Sequence, residues 1–341
     1  MKRLILAACA VSASLLCGPL QAQESVADFY RGKQIELRIG SAPGSGYDLT
    51  ARIIGRHLAK YIPGNPTIIF QNVPGASSLL LANQLATTAP RDGSVIAVVT
   101  NGVPTGPLLA PEATHFDPRR FGWIGSSAPE TELVMVWHTA AVQSVDDLFT
   151  KQLIVGGTGP GTAQVDIPAV TNAIVGTKFK IVSGYEGTAQ IELAMQRGEV
   201  EGIVGLGWIT AKTRDLAWLR DGTAKIITQF GLEKHPELQD VPLFPLPADA
   251  ARRQAIMLVV GRAEYGRPML TTPDVPADRL AALRHAFADT MKDVDFIKDA
   301  TTAELEVNPV SGEALQKLTD AIMATNPDVA ARVRTILAAT Q

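Results

Sequence analysis

The residues best suited to chemistry lie in four glycine-rich turns, each between a strand-like and a helix-like pattern. The first is Pro43-Gly44-Ser45-Gly46-Tyr47-Asp48 and the second Gly75-Ala76-Ser77-Ser78. The third contains Gly161-Thr162-Ala163 and the fourth is Tyr185-Glu186-Gly187-Thr188. Glycine lets a ligand come close to the backbone, and the N–H groups at a helix start favour an anion. Each helix start carries roughly half a positive charge, so two that converge balance one carboxylate without an arginine. The same turns also read as plain strand-to-helix connections capped by Asp48, Ser78, Thr162 or Thr188. Asp48 is open between a cap and a group that attracts a cationic substituent.

Signatures of catalysis are sparse. Gly157-Thr158-Gly159-Pro160-Gly161 begins like a dinucleotide fingerprint, but Thr162 stands where the third glycine belongs. There is no Gly-x-Ser-x-Gly elbow and no phosphate-cradling loop ending in Lys-Ser/Thr. His57, His115, His138, His235 and His285 are isolated, without the paired spacing that holds zinc. Asp146-Asp147 and Glu199 with Glu201 read as solvated charges. Trp208 reads either as a cleft wall or as core. No cofactor, no metal site and no enzymatic activity are expected.

Alternating strands and helices must position these turns. Residues 34–39 alternate, with Ile35, Leu37 and Ile39 on one side. A helical pattern opens at Asp48 and stops at 61–64, and residues 67–70 and 95–100 read as strands flanking a helix over 78–86. This β-α-β-α-β order predicts a largely parallel sheet with the turns at the carboxyl ends of its strands, where ligands bind. Beyond a Pro/Gly-rich connection at 102–121, strand patterns recur at 133–137, 153–156, 178–182, 203–206 and 225–230. Helical patterns lie between them at 164–175, 189–197 and 210–219. Residues 255–260 read as another strand, and 277–291, 312–324 and 328–338 as helices.

The 341 residues predict two domains. A net charge of −3 without a basic block excludes a nucleic-acid partner held by charge. Residues 1–22 read as a cleavable export signal: Lys2-Arg3, an apolar run over 4–16, then small residues up to Ala22. The run is shorter than the roughly 20 residues a spanning helix needs. Both cysteines, Cys9 and Cys17, fall within residues 1–22, so thiol chemistry drops out of the cleaved chain. Cys17 also reads as a lipidation site, although Leu16 before it fits poorly. The expected location is the periplasm.

Several motifs, in order and spacing, resemble the periplasmic solute receptors of tripartite tricarboxylate transporters, the Bug-type receptors. They are Phe29-Tyr30-Arg31-Gly32-Lys33, Pro43-Gly44 with Gly46-Tyr47-Asp48, Ile62-Pro63-Gly64-Asn65-Pro66, Gln71-Asn72-Val73-Pro74-Gly75, Pro90-Arg91-Asp92-Gly93, Arg197-Gly198-Glu199-Val200-Glu201-Gly202 and Pro276-Ala277-Asp278-Arg279. The resemblance implies the α/β type II periplasmic binding protein fold. Lobe 1 would hold residues 23–124 and 256–341 and lobe 2 residues 125–255, joined by a two-crossover hinge with the ligand cleft between them. It implies a small carboxylate ligand, a membrane permease as partner, and a monomer. The carboxylate would be clamped by backbone amides and ordered waters from 43–48 and 185–188. Further contacts would come from Gly75, Ala76, Ser77, Ser78, Thr100, Asn101, Gly161, Thr162 and Ala163. Departures are Ser45 between Gly44 and Gly46, Ser77 in place of a common glycine, and Thr162-Ala163-Gln164 after Gly161. Tyr47 and Tyr185 are candidate walls, and a β-branched residue at Gly187 is expected to push an anion off the amides. Two other readings remain open: a sensor or adaptor of the same fold, and a cleft hydrolase or isomerase pairing Ser45 or Ser77 with a histidine.

Overall fold

The computed structural model describes residues 24–159, 161–231 and 233–340, so the expected export signal and both cysteines lie outside the described residues. In chain order the strands are β1 (Gln34–Ile39), β2 (Thr67–Asn72), β3 (Val95–Val98), β4 (Phe121–Ser126), β5 (Glu132–Trp137) and β6 (Leu153–Gly157). They continue with β7 (Phe179–Ser183), β8 (Gly202–Gly207), β9 (Ala224–Phe230), β10 (Met269–Pro273) and β11 (Val310–Ser311). One sheet runs β11-β4-β10-β3-β1-β2 and the other β7-β6-β8-β5-β9.

The two sheets share a plan. Each has a parallel trio (β2-β1-β3 and β7-β6-β8) followed by an antiparallel strand, β10 or β5. In each case that strand has just arrived from the other lobe, so the two crossovers run side by side. Glu130 N–H donates to the Ala263 carbonyl at 2.8 Å, and Arg267 N–H to Ser126 Oγ at 3.1 Å. Gly266 has φ 55° and ψ −111°, and a Cβ there would stand 1.8 Å from the Ala128 carbonyl oxygen. Only glycine allows the crossovers to touch at this point.

Burial explains the layers. In β1 Ile35, Leu37 and Ile39 are buried, and they pack with Ile53, Ile54, Phe287 and Phe296 from helices Gly46–Leu58, Ala277–Thr290 and Val294–Thr302. Leu133, Met135 and Ile203 of the second sheet pack with Ile191 and Met195 of helix Thr188–Gln196. The remaining faces of both sheets share one continuous apolar cluster, which includes Trp123, Leu315, Val134, Ile167 and Val259. Helix Pro327–Ala338 lies against Gly106–Leu109 on the side of the first sheet and against Ala163–Val175 on the side of the second, so it ties the lobes together.

Three elements differ from expectation. Residues 255–260 are not a strand but the end of helix Ala250–Val260, whose N-cap Asp249 accepts from the Arg252 amide. A six-residue apolar run has no period that separates buried helix from buried strand. The strand of this region is β10, which ends in Pro273 and is too short and mixed to stand out. β4 begins where the Pro/Gly-rich connection at 102–121 ends, in a stretch with no strand assigned; Gly122 and Gly125 weaken its strand signal. A Cβ at Gly125 would sit 2.4 Å from the Phe287 ring, so close helix packing requires that glycine. The expected lobe boundaries at 124 and 255 fall inside β4 and inside Ala250–Val260.

Candidate functional site

The carboxyl ends of β1, β3, β6 and β8 face one another across a cleft of about 310 Å³. Tyr47, Ser77, Thr100, Asn101 and Gly102 line it from the first sheet. Gly161, Thr162, Ala163, Gln164, Thr188 and Thr210 line it from the second, with Gly205, Leu206 and Gly207 of β8. Glu130, Glu132 and Arg262 complete it from the crossovers and the start of β5. A larger hollow of about 650 Å³, between 209–216 and 301–306, holds none of the expected site residues.

The lobe 2 wall depends on Gly205, the extra residue of a bulge in β8: Leu133 pairs with Leu206 and Val134 with Val204. Its φ is +70°, and a Cβ would lie 2.7 Å from the Ala163 backbone carbon. The start of helix Ala163–Val175 therefore rests on β8, and its first amides, which have no acceptor within the helix, are held at the cleft. The lobe 1 wall carries backbone strain: Ala76, Ser77 and Ser78 have φ of 45°, 49° and 68°. Such a conformation costs of order 1–3 kcal/mol per non-glycine residue and is held only by its surroundings. Ser78 Oγ donates to the Gly40 carbonyl at 2.8 Å and accepts from Thr100 N–H at 3.0 Å. Thr100 Oγ1 donates to the Ser77 carbonyl at 2.7 Å.

Of the expected residues, Tyr47, Ser77, Thr100, Asn101, Gly161, Thr162, Ala163 and Thr188 line the cleft, and the others do not. Pro43, Gly44, Ser45, Gly46 and Asp48 form a turn tied by hydrogen bonds among Gly44, Ser45 and Asp48. Ser45, not Asp48, is the N-cap: its Oγ accepts the Asp48 amide, and the Asp48 carboxylate accepts Gly44 N–H at 2.8 Å. Arg52 and Asn72 also hold Asp48. Burial alone would raise its carboxyl, but the Gly44 amide, Asn72 and Arg52 together bring it below the ordinary carboxylate range. Gly75 and Ala76 are exposed outside the cleft lining, and Ser78 is buried. Ser78 and Thr162 are N-caps without a side-chain cap bond, and at the fourth turn the N-cap is Gly187 rather than Thr188.

Tyr185, Glu186 and Gly187 stand off the cleft lining, and the Glu186 amide is already engaged by Gln190 Oε1 at 2.9 Å. A Cβ at Gly187 meets nothing within 4 Å, and its φ of −176° is ordinary extended backbone, so the structure gives no steric need for glycine there. Tyr47 is a wall: its hydroxyl donates to the Gly266 carbonyl at 3.4 Å and accepts from Asn101 N–H at 3.3 Å. Trp208 belongs to the core, with Nε1 donating to Glu237 Oε2 at 2.7 Å.

No protein-family model matches the sequence, and no curated protein sequence matches it significantly. Solved structures do match. A ligand-free TctC solute-binding protein from Polaromonas aligns with a TM-score of 0.68 over 91% of this chain and 99% of its own, at 17% identity. The periplasmic binding protein BugD aligns at 0.60 over 90% and 98%, with 18% identity. MatC from Rhodopseudomonas palustris, with malate bound, gives 0.60 over 89% and 99%, also with 18% identity. This chain has the periplasmic binding protein fold. The proteins it resembles are solute-binding proteins rather than enzymes.

Within that fold the cleft lining also holds ionisable side chains beside its backbone amides. Arg262 lines it, with Nη2 2.8 Å from Asp166 Oδ2 and Nε donating to the Val259 carbonyl at 3.1 Å. Asp166 Oδ1 accepts Gly161 N–H at 3.0 Å. Glu132 is 6% exposed, and its Oε2 is buried without a hydrogen-bond partner. Burial pushes the Glu132 carboxyl up to about 8; Arg262 pulls it down, while Glu130 and Asp166 add to the rise. Arg262, Glu130 and Glu132 come from the crossovers and from β5, which carry no glycine-rich signature. The only sequence signal was a pair of acids, Glu130 and Glu132, flanking Thr131 just before an apolar strand. Among the described residues lining the cleft there is no histidine. His57 Nε2 lies 3.0 Å from Asp299 and His235 Nε2 3.1 Å from Glu306, and among the described residues no histidine is hydrogen-bonded to Ser45 or Ser77.

Proposed function

We propose that this protein is a periplasmic receptor that captures a small carboxylate between its lobes and delivers it to the permease of a tripartite tricarboxylate-type transporter. The observation that carries the reading is the convergence of two helix starts, at Ala163-Gln164 and at Thr188, with the strained Ser77 turn and Thr100–Gly102 on one cleft. Aligned amides at a helix start hold an anion without a mobile counter-ion. A ligand bridging both walls stabilises the closed form by its differential affinity for it, and the closed form is what a permease would recognise. Malate bound to MatC, which shares this fold, supports the choice of a carboxylate. The two lobes meet at the crossovers through 127–131 and 261–268, and the chain acts as a monomer after export and cleavage near Ala22. The test is thermal unfolding against mono-, di- and aromatic carboxylates. A true ligand at about 100 times its Kd stabilises the protein by about 2.7 kcal/mol. No shift with any acid would overturn the reading.

A further inference from the structure

We infer that His235 and Glu306 form a latch between the lobes, a hydrogen bond from a neutral histidine to a carboxylate that helps to fix the angle between them. It adds to the ties made by the crossovers and by helix Pro327–Ala338. The inference rests on the two-lobe fold and not on the identity of any ligand.

Each end of the latch is anchored in its own lobe. His235 stands in the segment after β9, and the buried Gln229 of that strand ties the segment down. Gln229 Oε1 accepts the His235 amide at 2.8 Å, and its Nε2 donates to the Leu238 and Val241 carbonyls, each at 2.8 Å. Leu238 and Val241 pack in turn with Leu133 and Ile203 of the second sheet. Glu306 stands between helix Val294–Thr302 and β11. Its neighbours Leu305 and Val307 pack against the apolar cluster around β1. The Asn308 amide donates to the Ser127 carbonyl at 2.8 Å. Two well-seated segments that meet at one side-chain contact pass any rotation of the lobes on to that contact.

The ring chemistry sets the direction of the bond. His235 Nδ1 lies 3.1 Å from the Glu237 amide nitrogen. A backbone N–H can only donate, so Nδ1 carries the lone pair and the ring proton sits on Nε2. Nε2 therefore donates to Glu306 Oε1 at 3.1 Å. The side chains of His235 and Glu306 are only 10% and 24% exposed, so water competes less here than at a surface pair. The Glu237 carboxylate accepts Trp208 Nε1 at 2.7 Å and Lys212 Nζ at 2.6 Å. The Trp208 amide donates to the Thr131 carbonyl of the outgoing crossover at 2.8 Å. Hydrogen bonds thus run from the latch into helix Trp208–Arg214, whose Thr210 lines the cleft. Beside the latch the lobes part around the hollow of about 650 Å³, which both His235 and Glu306 line. No close packing backs the bond on that side, and there is room for the lobes to shift once it is released.

Spin labels at the exposed positions Ala217→Cys in the second lobe and Lys298→Cys in the first read the inter-lobe distance by pulsed electron double resonance. Residues 23–341 hold no cysteine that would compete for label. With the latch intact, one narrow distance is expected. In Glu306→Ala and in His235→Ala the share of molecules at other distances should rise about tenfold, the effect of losing a hydrogen bond to a charged group. Glu306→Gln keeps an acceptor for Nε2 and should stay close to wild type. Thr213→Ala, on the same hollow but outside the bond, should leave the distribution unchanged. In mildly alkaline buffer the ring nitrogen shifts of His235 should mark a neutral imidazole protonated on Nε2. The latch is overturned if Glu306→Ala and His235→Ala stay as narrow as wild type, if Glu306→Gln or Thr213→Ala broadens the distribution as much as they do, or if the ring proton is on Nδ1. None of these measurements uses a carboxylate ligand, so their failure leaves the receptor reading standing, and failure of every acid to bind leaves the latch standing.

Discussion

Replacing Glu132 with glutamine should make the protein more stable, and by an amount that depends on pH. Glutamine mimics the protonated carboxyl in shape and charge, so the packing is kept while the titration is removed. In the folded chain burial pushes this group up to about 8, against 4.5 for an ordinary glutamate. The folded state therefore holds the proton to higher pH than the unfolded state. The stability tied to that proton is fully present below pH 4.5 and is lost as pH rises towards 8. At about 1.36 kcal/mol per pKa unit, the loss is about 1 kcal/mol at pH 5, about 3 kcal/mol at pH 7 and close to 5 kcal/mol above pH 8. Urea unfolding followed by tryptophan fluorescence reads both lobes, because Trp123 lies in the first sheet and Trp137 in the second. The expected result is that Glu132→Gln gains about 2 kcal/mol more over wild type at pH 7 than at pH 5. An equal gain at both pH values, or a loss at pH 7, would refute the claim that Glu132 is a desolvated and unpartnered carboxyl.

Further substitutions probe the frame around the cleft. Gly266→Ala should cost about 2–4 kcal/mol in urea unfolding, since it adds both strain and a backbone clash at the crossovers. Gly159→Ala, where a Cβ meets nothing within 4 Å, should stay within about 0.5 kcal/mol of wild type. Arg262→Met should cost about 3–5 kcal/mol by leaving Asp166 charged and buried, and adding Asp166→Asn should recover most of it. If the single variant loses less than about 1 kcal/mol, the pair is not the buried ionic contact described.

Much of the fold was legible because its signals are local. Alternation in 34–39 and the glycine-rich turns before helical runs are properties of neighbouring residues, and they placed β1, β6, β8 and helix Ala163–Val175 within a residue or two. The errors came where burial on both sides erased any period, as in 255–260, or where glycine stands inside a strand, as in β4. For the site, the sequence drew attention to loops that do lie at the carboxyl ends of strands. It did not show which loops open onto the cleft, because that depends on internal bonds such as Ser45 to Asp48 and Gln190 to Glu186.

Residue order alone determined an α/β chain with amide-rich turns before its helices, since period, capping and turn chemistry act over a few residues. Tertiary structure decided that Glu130, Glu132, Asp166 and Arg262 meet at the cleft. They stand up to 132 positions apart, and only the paired crossovers, seated against each other at Gly266, bring them together. Their electrostatics depend on burial, which a linear pattern does not record.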